Sequence, residues 1–183
     1  MSKGMPPLPV DPIVANVITA LPDGQIYISD AALANLSNEA ELGSLLSDSI
    51  TSVLQKHAYI AQNARPDAVI NPDFQDFSRF RMILAMHQQS LRIGIRQMYL
   101  AGYDIREAPF AWAVAQGKPV NNPVINSKDP EKEIPWYAAY AFNYISQYYK
   151  DVDYSKLKRG RKEYQQFLNE LRKADPGAFA GKK

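Results

Sequence analysis

Two long runs of apolar residues at helical spacing, joined through a proline-bearing loop, limit what this chain can fold into more than any other feature. Asn38 with Glu41 three residues later makes a capping box, in which the two side chains satisfy backbone N–H groups that a first helical turn leaves open. It opens a helix predicted over 39–63, whose apolar stripe is Leu42, Leu45, Leu46, Ile50, Val53 and Leu54. Pro66, Asn71 and Pro72 mark a loop, and a second helix is predicted over 74–101. Its core face is Phe77, Phe80, Leu84, Leu91, Ile95 and Met98, and Gly102 stands where a left-handed C-terminal cap belongs.

The flanks are shorter. The β-prone runs 14–21 and 25–29 are separated by Pro22, Asp23 and Gly24, which reads as a hairpin, and a helical turn over 30–36 follows. Beyond Gly102 come a short helix over 105–116, a Pro/Asn-rich loop over 117–132, and helices over 135–150 and 155–174, with a frayed tail. The expectation is an α+β fold, mostly helical. Two long packed helices form its centre, with a small N-terminal hairpin and extra C-terminal helices. Residues 1–13 are expected to be extended or disordered, 14–116 to form the core, and 117–183 to be a helical extension packed on the same domain.

A chain of 183 residues buries roughly 70% of its unfolded surface, so it needs no covalent staple. It has no cysteine, which excludes disulfides, thiolate zinc sites and a cysteine nucleophile. The net charge of +2 is too balanced to call for a nucleic-acid partner. Basic residues are concentrated late, in Lys156, Lys158, Arg159, Arg161 and Lys162. This run reads as the solvated face of a terminal helix, or else as a patch for an anionic partner. No stretch approaches the ~20 apolar residues of a membrane span, and no apolar run follows the N-terminus as in a signal peptide. The compartment stays open between cytoplasmic and exported with a targeting segment removed.

The segment ALPDGQIYISDAALANLSNEAELGSLLSDSITSVLQKHA (20–58) resembles the core of the HtpX-like and prenyl-protease-type zinc peptidases, where a hairpin and an NEAEL piece lead into an HExxH helix. LAGYDIREAPFAWAVAQ (100–116) is similar to that family's AGYD segment, and the resemblance covers about 14–116. It implies a zincin-like core. It also places the first zinc histidine on Asp48, the catalytic glutamate on Ser49, the second histidine on Ser52, the third ligand on Ser90 and a neighbouring aspartate on Arg92. Only a histidine one turn past the motif is kept, as His57. A zincin needs two imidazoles four apart, a third ligand from a second helix and a glutamate base, and these residues cannot supply them. The implication is a degenerate member without metal, cofactor or catalytic residues, kept as a binding or assembly module for a protein or peptide partner.

The alternative is an active hydrolase with a non-standard site around Asp48, Ser52, His87 and Ser90, although no nucleophile-elbow sequence supports a Ser-His-Asp set there. For binding, the hairpin offers an edge at which an extended peptide can add, with Tyr27 and Ser29 flanking it and Asp48, Ser52, His57 and His87 lining the old cleft. The polar strip Ser44, Ser47, Asp48, Thr51, Ser52 and Gln55 reads either as a solvated helix face or as that cleft's wall. His57 reads as a surface or supporting histidine, and His87 as a satisfied, half-buried one. Tyr137, Tyr140, Tyr144 and Tyr148, with Trp136, read as packing or as a stacking platform for a sugar or peptide.

Overall fold

A computed structural model describes residues 17–21, 23–57, 59–60, 72–115 and 136–176; within helices, side chains 72–81, 83 and 136 fall outside the description. Over these residues the protein is mostly helical, with one small antiparallel sheet. Strands β1 (Ile18–Ala20) and β2 (Ile26–Ile28) pair in the register Ile18 to Ile28, Thr19 to Tyr27 and Ala20 to Ile26. Gly24 turns the chain between them at φ 94°, a conformation that costs other residues a clash at Cβ. Then come α1 (Asp30–Asn35), α2 (Glu39–Leu54), α3 (Pro72–Leu100), a 3-10 turn (Ile105–Glu107), α4 (Ala108–Ala115), α5 (Trp136–Tyr148), a second 3-10 turn (Tyr154–Lys156) and α6 (Arg161–Ala174).

The start of α2 leaves no donor unsatisfied. Asn38 Oδ1 accepts from the Glu41 N–H, and the Glu41 carboxylate accepts from the Ser37 N–H and hydroxyl. The N–H groups of Glu39 and Ala40 donate to the carbonyls of Gly160 and Arg159, on a strap that crosses the helix end just before α6. At the far end α2 stops at Leu54, because Lys56 takes a left-handed φ of 54° and breaks the helix; residues 57, 59 and 60 are helical again, and the predicted end at 63 lies outside the described residues. No glycine announces the break. The other long helix ends as predicted, in a Schellman cap. Gly102 N–H bonds the Tyr99 carbonyl and Tyr103 N–H bonds the Met98 carbonyl, with Gly102 at φ 78°.

Two apolar clusters form the core. The first gathers Val17, Ile18, Leu36, Leu45, Trp112, Tyr164 and Leu168, joining hairpin, α1, α2, α4 and α6. The second gathers Ala40, Ile95, Met98, Ile105, Ala141 and Ile145, from α2, α3, the first 3-10 turn and α5. On α5 the buried residues are Ala138, Ala141 and Ile145, and the tyrosines flank them, with Tyr148 exposed. Phe77 and Phe80 lie outside the described side chains.

The apolar stripe predicted for α2 is only half right. Leu45 is completely buried, but Ile50 and Leu54 are 41% and 67% exposed. Most of the polar strip is buried instead: Ser44, Ser47, Asp48 and Thr51 lie inside with neighbouring Ser49, Ser52 is half-buried and only Gln55 is exposed. The cause is the distance of approach between α2 and α3. A Cβ at Gly94 would come within 3.1 Å of Ser47 Oγ and 3.2 Å of the Asp48 nitrogen, so the two backbones meet where leucines would not fit.

The basic run is also not one helix face. Lys156 pairs with Asp153 in the second 3-10 turn, Lys158 reaches Glu39, and Arg159 bridges Asp104 and Glu107. The final helix starts only at Arg161, because Asp153 caps the 3-10 turn and residues 157–160 form the strap.

Candidate functional site

The chemistry-bearing side chains collect along the seam between α2 and α3. Ser52 Oγ and Ser90 Oγ lie 3.0 Å apart, so the structure brings together two of the serines that the family resemblance singled out. Ser90 Oγ is also 3.2 Å from His57 Nδ1, and His57 Nε2 is 3.2 Å from Gln89 Oε1. Gln89 Nε2 in turn donates to Gln55 Oε1 at 3.4 Å. One direction satisfies every link. His57 carries its proton on Nε2 and donates to Gln89, its Nδ1 accepts from the Ser90 hydroxyl, and Ser90 accepts from Ser52.

His57 reaches this position because α2 ends early. The left-handed Lys56 breaks the helix and changes the direction in which the next residue projects, and the His57 ring is buried against α3. Burial holds its pKa below the ordinary histidine value, opposed in part by the Gln89 bond, so the neutral ring that the network needs is favoured. His57 is therefore the histidine bonded to the serine pair; His87 is half-buried on α3 three residues before Ser90. Gln89 was not legible as a partner, since nothing local distinguishes it from an exposed helical glutamine.

Asp48 sits one turn before Ser52 on the same helix and is buried. Its Oδ1 has no hydrogen-bond partner, nor has the buried Thr51 Oγ1. Burial pushes the Asp48 carboxyl up to about 7. Ser49 is buried, and Arg92 points outward on α3. Among the described residues no three His, Cys, Asp or Glu side chains cluster as metal ligands. Both serines sit inside helices, where backbone N–H groups bond carbonyls four residues back and none is left for an oxyanion.

The hairpin needs one correction. The Leu21 N–H to Gln25 carbonyl and Ser29 N–H to Val17 carbonyl bonds fix the ladder. By the alternation of an antiparallel pair, Tyr27 also turns its N–H toward β1, and Ile26 and Ile28 point theirs to the outer edge. Ser29 is the N-cap of α1, its hydroxyl accepting from the Ala32 N–H at 3.1 Å, so it shapes the chain's exit from β2 and does not mark an open edge. The Tyr27 side chain is 56% exposed.

The motifs behind the family resemblance have local work of their own. NEAEL is the capping box of α2. In AGYD, Gly102 and Tyr103 are the Schellman cap of α3, and Asp104 caps the next turn through the Arg106 N–H. Asp104 is also paired to Arg106 at 2.7 Å and to Arg159 at 3.1 Å, which together hold its carboxyl below the usual range against the opposing effect of burial. Set against models of known protein families, curated proteins and solved structures, the chain finds no match.

Proposed function

We propose that this chain is a binding module for an extended or helical peptide, built on a framework of the peptidase-like kind but without its chemistry. What carries it is the inversion of α2. That helix turns its serines, Asp48 and Thr51 inward and leaves Ile50 and Leu54 exposed, beside a hairpin whose turn at Gly24 lies against Val53. Exposed large apolar side chains on adjoining elements are the usual mark of an interaction surface. The backbone groups of Ile26 and Ile28 add an edge to which a peptide strand can pair. Of the positions that the resemblance assigns to catalysis, Ser52 and Ser90 bond one another, Asp48 is buried apart from them and Arg92 is exposed, residue types that make no zincin ligand set.

A random-peptide library panned against the immobilised chain should enrich sequences that lose binding to an Ile50→Glu/Leu54→Glu variant. Strand addition predicts that Ile26→Pro also abolishes binding; attachment to the α2 face alone predicts that it does not. Peptides that bind the double variant as well as wild type, in a protein of unchanged circular dichroism, would end the proposal.

A second reading, hydrolysis, is favoured by the Ser52–Ser90–His57–Gln89 chain, since an imidazole on a serine is the beginning of a nucleophile. Ser90 is fully buried, so half-buried Ser52 is the hydroxyl a substrate would meet, with Ser90 passing its proton to His57. A fluorophosphonate probe that labels Ser52 in wild type but not in His57→Ala would establish this. Absence of labelling under denaturant-free conditions removes it.

A further inference from the structure

Asp48 stands apart from the hydrogen-bond chain that begins one turn later. A buried carboxyl without a partner costs stability, far more so when ionised. Asp48 Oδ1 and Thr51 Oγ1 are both buried and unpartnered, and at i, i+3 they share one side of α2. Asp48 lies at a close approach of the seam, its nitrogen 3.2 Å from a Cβ built on Gly94. Room for a compensating group is small there.

Among the described residues no counter-charge faces it. On α3 the residues at this level are Ser90, Leu91, Gly94 and Ile95, with Arg92 and Arg96 exposed and His87 half-buried a turn away. Neither α4 nor β1 has a titratable side chain, and β2 has only the exposed Tyr27. Asp104, Arg106, Glu107, Arg159 and Tyr164 gather at the other end of α2, with Glu39 and Glu41. On α2's own C-terminal side stand Lys56, exposed, and His57, tied to Ser90 and Gln89. Burial is the sole cause acting on the Asp48 carboxyl.

We propose that the α2–α3 seam is a proton-dependent latch, shut while the Asp48 carboxyl keeps its proton and loosened when that proton passes to solvent base. Of the two Asp48 oxygens, Oδ1 is enclosed and unpartnered, so full hydration of the ionised carboxylate requires the seam to part around Oδ1, and parting strains the Ser52–Ser90 contact one turn along. His57 bounds the shut state from the acid side. Once protonated it can no longer accept from Ser90, and burial already disfavours that charge.

The signs of the two groups are opposite. The folded chain holds the Asp48 proton from its ordinary 3.8 up to about 7, so stability from this group falls as pH rises through that interval and is level above it. His57, with its folded value below 6.5, removes stability as pH falls below 6.5. Comparison with Asp48→Asn isolates the aspartate. The folding equilibrium constant of the variant relative to wild type should rise about tenfold per pH unit between about pH 4.5 and 6.5, then stay flat above about pH 7.5. A ratio independent of pH overturns the proposal. Wild type alone supplies a second measurement that does not require the variant to fold. Amide exchange across 47–51 and 91–95, corrected for base catalysis, should quicken between about pH 6 and 8 as the latch opens. A carboxyl that titrates near 4 by NMR, or exchange that does not quicken, refutes the latch.

Discussion

Lys56 is the one non-glycine residue among the described positions with a left-handed backbone, and its conformation is what delivers His57 to Ser90. A left-handed non-glycine costs about 1–2 kcal/mol, and glycine gives back about 0.5–1 kcal/mol through the unfolded chain. Lys56→Gly should therefore stabilise the protein by about 0.5–1 kcal/mol in urea unfolding; a loss of stability would mean that the lysine side chain does something the turn does not reveal. Ser90 is the middle of the hydrogen-bond chain. Ser90→Ala strands both the His57 Nδ1 and the Ser52 hydroxyl, at about 1–3 kcal/mol. Ser52→Ala removes only the first donor, from a half-buried site, and should cost less. Equal losses for the two would contradict the direction assigned to the chain. Ser52 and Ser90 were legible from motif positions in the sequence. His57 was also named for the cleft, but its pairing with Gln89 was not legible, because it joins residues 32 apart in sequence across a turn that no glycine marks.

Elements show the same division. The capping box at Asn38 and the glycine cap at Gly102 are written within a few residues, so the beginning of α2 and the end of α3 could be read directly, whereas Pro72, read as loop, is the first residue of α3. Which face α2 buries could not be read this way. That depends on Gly94, 46 positions beyond Asp48, permitting a backbone approach that admits serines and excludes leucines. Gly94→Ala gains up to about 1 kcal/mol of helix propensity but drives a methyl to 3.1–3.3 Å of Ser47 and Asp48, mostly onto backbone. Overpacking of that kind costs about 1–3 kcal/mol, so a net loss of stability is expected. Should the variant be more stable, the seam is looser than its geometry. Gly160 is held more firmly still: at φ 66°, a Cβ there would fall 2.4 Å from Glu39 Oε2 and 2.7 Å from Glu39 Cβ. Gly160→Ala should lower the melting temperature, and Glu39→Ala should recover part of the loss by removing the atoms it strikes.

In the whole molecule, α6 closes the first core cluster. Tyr164 is buried with its hydroxyl donating to the Leu33 carbonyl at 2.6 Å, which burial reinforces by pushing its pKa upward, and Leu168 packs one turn on. The strap before it supplies the carbonyls for the first two N–H groups of α2. Losing two such core side chains costs about 3–5 kcal/mol each, against a total stability of about 5–15 kcal/mol for an ordinary domain. A chain ending at residue 156 should lose its cooperative thermal transition, and a sharp transition at the wild-type temperature would show that the C-terminal part is an accessory. The sequence by itself determined the mostly helical class, the hairpin, the order of the helices and their caps, because these follow from spacing and from side chains that bond their own neighbours. Tertiary structure alone decided the early end of α2, its inverted face, the burial of Asp48, the capture of His57 and the pairing of the basic run. Each depends on how closely two distant backbones approach, and a polar residue is solvated or buried only once that distance is set.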